Sequence, residues 1–456
     1  MKSSITIKSI RQKYAEDFRK KLATGQIASP IRDLAIMMGE CQREARAQKL
    51  KLRKFDLVNL TIGDVEPRFF HVDGDKNLAN ELGLDPFGTV RKKINERILE
   101  LRKLAWKTGT EPRTGYQPEA LGMPLLREKF VEFINSYGFD YSVGETVIQY
   151  GSLPGIHAVL EGVRTQTQGK AVFVAPTPGF SVFYTQAKRL GLQFLGIQSQ
   201  AADGYCCTPQ ALEATLTKIK TLPAILYLTP MNNPTSTVYN RATLAATLQV
   251  FQRMQPAGII LVDLAYLEMI PKSDALQLLR LFKTTHVLDQ SIMVTSISKM
   301  FGYPRLRCAA LLMKNPQLMK LLQDTAQVDY ASISSGVELE GVALWEIIKP
   351  GSRKKMFALF QKRQQALLRW LQQINETREK NHQSPVVALN QAYTQVPLYV
   401  YIKLAPGVNF LDFFVETGIC GVSGSVFGDI DQNNMLRLAV GIEPLANLSR
   451  EPEAKT

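Results

Sequence analysis

Residues 291–307 read Ser-Ile-Met-Val-Thr-Ser-Ile-Ser-Lys-Met-Phe-Gly-Tyr-Pro-Arg-Leu-Arg. Of the first six, the inner four are apolar or β-branched without strict alternation, which predicts a strand buried on both faces. A lysine follows two small hydroxyl residues, Ser296 and Ser298, at the point where such a strand ends. Burial there disfavours the ammonium form, which makes Lys299 a usable nucleophile toward an aldehyde. Ser296, three residues earlier, and Arg307, eight later, can converge on a phosphate, because an arginine fork with a hydroxyl clamps an anion. Taken alone, a Ser-x-Ser-Lys is better read as a loop lysine with solvated neighbours. The stretch needs company.

Working outward, short apolar runs recur at 171–175, 224–229, 259–263 and 309–313, each bounded by Gly, Pro or Asn. Helical stretches at about 124–137, 154–165, 180–190 and 241–255 fill the gaps. Strands alternating with helices predict an α/β domain around a mostly parallel sheet. After about 325 the pattern changes to a long helix at 354–375, then extended segments at Val396–Leu404 and Met435–Val440. These predict a smaller α+β domain. The expected organisation is an N-terminal helical arm over 1–54, a small domain from 55–114 and 325–456, and a large domain over 115–324.

Other residues with chemical capacity lie in order along the chain. Asp263 ends a predicted strand 36 residues before Lys299, in Val-Asp-Leu-Ala-Tyr-Leu-Glu, with Tyr266 close behind. By itself such an aspartate reads as a helix cap. Asn233 sits in Thr229-Pro-Met-Asn-Asn-Pro-Thr-Ser236, a turn after a strand. Gly151 and Ser152, in Tyr150-Gly-Ser-Leu-Pro-Gly, open a predicted helix, where backbone amides form a natural phosphate cradle. Phe180 and Phe183 lie in Ala175-Pro-Thr-Pro-Gly-Phe-Ser-Val-Phe, the second a strong contender for the core. Further out are Gly63 in Leu-Thr-Ile-Gly-Asp, Tyr116 in Thr-Gly-Tyr-Gln-Pro, and Arg437 in Met-Leu-Arg-Leu-Ala-Val-Gly.

Over about residues 57–441 this ordered set resembles the fold type I pyridoxal phosphate (PLP) enzymes, in particular the class I/II aminotransferases. That family carries Ser-x-Ser-Lys-x-Phe-Gly-x-x-Gly-x-Arg around its Schiff-base lysine, and SISKMFGYPRLR matches it with Lys299 and Arg307 in place. The resemblance implies a three-layer PLP-dependent transferase-like large domain and a smaller α+β domain. It implies that Lys299 forms the Schiff base, with Asp263 on the pyridine nitrogen and Tyr266 and Asn233 on the phenolic oxygen. Gly151, Ser152, Ser296 and Arg307 would hold the phosphate, and Phe180 would lie against the ring. Tyr116 would reach the phosphate in a neighbouring subunit of a homodimer. Arg437 would take the substrate α-carboxylate, with Gly63 bordering the substrate.

The implied function is transfer of an amino group between an amino acid and a 2-oxo acid. The same residues also serve lyases, decarboxylases, cyclising synthases and PLP oxidases, and a non-catalytic basic binding protein is the reading from another class. Departures from the family pattern are Leu264 for the glutamate of Asp-Glu-Ala-Tyr and Ser236 for the glycine of Asn-Pro-Thr-Gly. Arg305 and Ala309 replace glycines flanking Arg307, and Ser423 replaces a proline. Arg305 adds a cation whose expected place is solvent.

A formal charge of +14 over 456 residues raises the question of nucleic acid. The excess is spread along the chain, and a solvated basic surface is the preferred reading. No apolar run reaches the roughly 18 residues of a membrane helix, and Met1–Phe18 has no apolar signal core. Five cysteines without framework spacing suggest reduced thiols and a cytoplasmic protein. Four histidines show no ligand spacing, so no metal is expected.

Overall fold

The computed structural model describes residues 5–53, 56–109, 117–219, 221–430 and 433–446. Its largest sheet has seven strands in the order Thr146–Gln149, Ala309–Leu312, Ser291–Ser296, Ile259–Asp263, Ala224–Leu228, Val172–Thr177, Gln193–Gln198. From Ser291–Ser296 onward the neighbours are parallel, whereas Ala309–Leu312 runs antiparallel to the strands on both sides of it.

Alternate strand residues, among them Val147, Phe173, Tyr227, Leu261, Val294 and Leu311, share one core with Val159 and Val163 of the helix Ser152–Gln166 and with Phe183. The intervening Ile148, Val174, Leu226, Val262 and Leu312 are equally buried, so the sheet is covered on both faces. That is why these strands read as continuous apolar runs. Each such Val, Leu, Ile or Phe contributes about 1.5–3 kcal/mol by leaving water. The fold is α/β, with a large mixed, mostly parallel sheet and a smaller sheet domain, as expected.

By contacts the chain divides into two compact units, one of Asn77–Asn233 and Thr237–Lys355, the other of Met1–Lys76, Pro234–Ser236 and Met356–Thr456. Residues 77–109 and 325–355, assigned from sequence to the smaller domain, lie in the unit with the large sheet. Helix packing explains this: Thr89–Thr108 packs on Ser335–Ile347, which packs in turn on Pro124–Asn135. Arg91 adds polar ties, donating to Glu340 at 2.7 Å and to the Tyr303 hydroxyl at 2.7 Å.

In the other unit the helices Ile7–Ala23 and Pro30–Ala47 share a core with Phe410–Thr417, built from Ile10, Phe18, Leu34, Met37, Cys41, Leu411 and Phe414. The N-terminal helices are thus part of a packed core. A four-stranded antiparallel sheet runs Val422–Ser423, Met435–Ala439, Tyr399–Leu404, Val387–Tyr393. Arg363, fully buried, pairs with Asp73 at 2.6 Å and donates to the Val440 and Gly441 carbonyls. Hydrogen bonds of this kind are what make a buried ion pair tolerable.

Candidate active site

The antiparallel strand Ala309–Leu312 gathers three sequence segments at one end of the large sheet. Its first residue, Ala309, stands opposite both Gln149 and Ser296. Gly151 therefore follows one strand, the Ser296–Lys299 turn follows another, and Arg307 precedes the third, all on the same edge. This is also the carboxyl end of the parallel strands, where open α/β sheets bind ligands.

Gly151 has φ +93° and ψ 166° and caps the helix Ser152–Gln166. A Cβ placed there would come within 2.6 Å of Arg307 Nη2, so backbone and guanidinium face each other closely. Arg307 itself has φ +56°, a left-handed backbone that costs a non-glycine residue about 1–2 kcal/mol. Its Nη1 donates to the Pro304 carbonyl at 3.2 Å. Ser296 is buried, while Ser152 and Lys299 are half-buried. A glycine amide at a helix start, facing an arginine, is a cradle for an anion.

Asp263, at the end of its strand, is buried. Its Oδ1 accepts the Ala265 amide at 3.0 Å and its Oδ2 accepts the Tyr227 hydroxyl at 2.8 Å. Burial pushes the Asp263 carboxyl above its usual range, and these two donors pull it back. Asn233 Nδ2 donates to the Tyr266 hydroxyl at 3.1 Å, so two residues read separately from sequence meet as a pair. Phe180 is half-buried and lies 5.4 Å, edge-on, from the buried ring of Phe183. Phe183 in turn lies 4.9 Å from Tyr227. An aromatic run thus connects Phe180 to the residue that bonds Asp263.

In the unit containing the smaller sheet, Arg437 is buried with its guanidinium 5.1 Å from the Tyr399 ring and 4.8 Å from the Phe427 ring. Its Nη2 donates to the Thr61 carbonyl. A Cβ at Gly63 would strike the Tyr399 hydroxyl, so only glycine leaves that ring where it is. Tyr116 lies outside the described residues. The chain just after it is held by Glu338, which accepts from Gln117 Nε2 at 3.2 Å and from the Met123 amide at 2.5 Å.

A sequence model of the family described as aminotransferase class I and II matches residues 79–392. The chain belongs to that family. Histidinol-phosphate aminotransferase of Yersinia enterocolitica is 26% identical over 39% of this chain and 43% of its own length. Histidinol-phosphate aminotransferase 1 of Ralstonia nicotianae is 30% identical over 21% of this chain and 25% of its own. The chain thus spans less than half the length of the curated relatives it matches. Among solved structures, alanine aminotransferase from Pyrococcus furiosus superposes with TM-score 0.67 at 15% identity, over 93% of this chain and 95% of that one. Aspartate aminotransferase from Thermus thermophilus gives 0.64 at 16% identity, with the same coverage. At such identities the structures speak to fold alone.

Members of this aminotransferase family depend on PLP. The residues present fit that group: a glycine at a helix start facing the Arg307 guanidinium for a phosphate, a buried carboxylate for a ring nitrogen, and an amide–phenol pair for a ring oxygen. The departures are absorbed locally. Leu264 is buried in the core, and Arg305 is exposed. Ser236 keeps the left-handed backbone its glycine counterpart favours, at φ +54°. Its hydroxyl bonds the Val396 and Tyr399 carbonyls at 2.9 Å each. Sequence reasoning missed Tyr227, which sits inside an apolar run. Its strand register is the missing signal: Tyr227 pairs with Leu261, and Asp263 lies two residues on along the same face.

Proposed function

We propose that the chain is a PLP-dependent aminotransferase, moving an amino group between an amino acid and a 2-oxo acid with Lys299 as the residue bonded to the cofactor. The observation that carries this reading is the meeting of Gly151, Ser296, Lys299 and Arg307 at one sheet edge, in a unit where Asp263 is already held by a buried donor. The bound cofactor supplies an electron sink for negative charge developing at the substrate α-carbon.

The chain's own residues then divide the work. Gly151, Ser152, Ser296 and Arg307 would hold the phosphate, Asp263 would keep a proton on the ring nitrogen, and Asn233 with Tyr266 would bond the ring oxygen. Phe180 would stack on the ring, where phenylalanine cannot hydrogen-bond. Lys299 would take the proton from the substrate α-carbon as general base. Arg437 takes the α-carboxylate through two parallel bonds, and Gly63 keeps the neighbouring backbone open. Tyr116 serves the partner subunit of a homodimer. Exposed Leu99, Leu104 and Trp106 on one helix support a buried face in that assembly. The cytoplasm suits five free cysteines, all buried.

The test is to mix the holoprotein with an amino-donor panel that includes aspartate, alanine and histidinol phosphate, and to follow the cofactor's visible absorption. Bleaching that a 2-oxo acid reverses supports the reading and names the donor. Loss that no oxo acid reverses, or no change with any donor, overturns it. Lys299→Ala abolishes turnover and covalent labelling by borohydride; labelling at another lysine would refute its assignment.

A further inference from the structure

We propose that Tyr227 is a positioning residue for Asp263: its hydroxyl holds the carboxylate ionised and aimed, and so keeps a proton on the ring nitrogen of bound PLP. This rests on the reading above and adds a residue to it. Tyr227 lies in mid-strand, in Ala224–Leu228, with aliphatic neighbours on both sides. A tyrosine hydroxyl buried among such residues needs a partner. It has Asp263 Oδ2 at 2.8 Å as acceptor. Tyr227 and Asp263 are both buried.

The arrangement is directional. Burial pushes the Tyr227 phenol well above its ordinary range, so it stays a donor at every working pH. A donated bond stabilises the Asp263 carboxylate and opposes its protonation. Along Asp263, one oxygen is tied to the Ala265 amide and the other to Tyr227, which fixes the plane of the carboxylate. The titratable groups bearing on Tyr227 are Asp263 itself and Tyr184, from the helix Val182–Arg189. The Tyr184 hydroxyl is engaged elsewhere, with the Pro176 carbonyl at 2.8 Å. The phenol ring is gripped by Phe183 at 4.9 Å and by Phe173 at 6.3 Å, so removing the hydroxyl leaves the ring seated.

When the hydroxyl is lost, the carboxylate becomes more basic and draws the proton away from the ring nitrogen. The ring then carries less positive charge, and the Lys299 nitrogen bonded to the cofactor becomes easier to protonate.

The experiment compares wild-type holoprotein with Tyr227→Phe. Three readings are taken: the pH midpoint of the cofactor's visible absorption change, the PLP dissociation constant of the apoprotein, and the split of kcat against KM. Expected are a midpoint raised by about one pH unit, PLP bound several-fold more weakly, and kcat reduced about tenfold, the size of one bond to a charged group. The donor KM changes less than kcat. An unmoved midpoint with kcat within twofold of wild type overturns the proposal while leaving the PLP reading intact. Absence of any cofactor band or PLP binding in the wild type overturns both. If Tyr227→Phe does not fold, 15N NMR of wild-type holoprotein loaded with ring-labelled PLP carries the test, and a ring nitrogen without its proton at neutral pH then refutes the proposal.

Discussion

Gly151→Ala places a methyl group into the gap between the helix start and Arg307. The new Cβ would stand 2.6 Å from Nη2 and 2.8 Å from Cζ, closer than a methyl carbon, which cannot hydrogen-bond, approaches any non-bonded heavy atom. One of the two must move. At φ +93° and ψ 166° the backbone occupies a region nearly exclusive to glycine, which costs alanine about 1–3 kcal/mol. Arg307 is poorly placed to retreat, being left-handed itself and tied to the Pro304 carbonyl. Losing one hydrogen bond to a charged phosphate removes about 1.5–3 kcal/mol. That corresponds to a roughly ten- to hundredfold rise in the PLP dissociation constant. The assay titrates apoprotein with PLP and, separately, with pyridoxal, which lacks the phosphate and whose affinity changes little. Gly169→Ala is the control: its φ is +77° but its Cβ meets nothing within 4 Å, so it loses stability and keeps affinity. If Gly151→Ala binds PLP within twofold of wild type, the cradle is misassigned.

Ser236→Ala removes two donated bonds and the acceptor of the Val396 amide while keeping the left-handed backbone, for a loss of about 1–3 kcal/mol. Ser236→Gly loses the same bonds but relieves the φ of +54°, so its urea midpoint falls less than that of the alanine variant. Glu443 gives a pH signature. Burial pushes its carboxyl up to about 7, against the pull of the Asn59 amide and Arg363. A folded-state value above the unfolded one means that this group's stabilisation is complete below the unfolded value of 4.5 and is lost as pH rises through about 7. Glu443→Gln therefore gains on wild type in urea unfolding between pH 5 and pH 8; a constant difference across that range would refute the assignment.

The legible parts of the fold were those where burial leaves a mark on composition. Five interior strands announce themselves because both faces exclude water, so most of their positions are apolar. The edge strand Gln193–Gln198 does not, since Gln193, Gly196 and Gln198 are exposed. Thr146–Gln149 escaped because polar Thr146 and Gln149 leave only two apolar residues between them. Lys299, Asp263 and Arg307 were legible through the spacing of their motifs along the chain. Tyr227 was not, because its contact depends on the register between neighbouring strands, and register is a property of pairing. The placement of 77–109 was likewise invisible, since an amphipathic helix does not state which partner it covers.

The position of Ala309 has a consequence for how the protein is made. One residue stands opposite Gln149 and Ser296 at once, and the first of these partners lies 160 positions earlier in the chain. During synthesis the Gly151 loop exists long before Arg307 emerges, and nothing local brings the two together. Closing so long a loop is an entropic cost met only when the antiparallel strand slots between its neighbours. The proposed anion cradle therefore forms only after the strand ending at Leu312 has left the ribosome and paired.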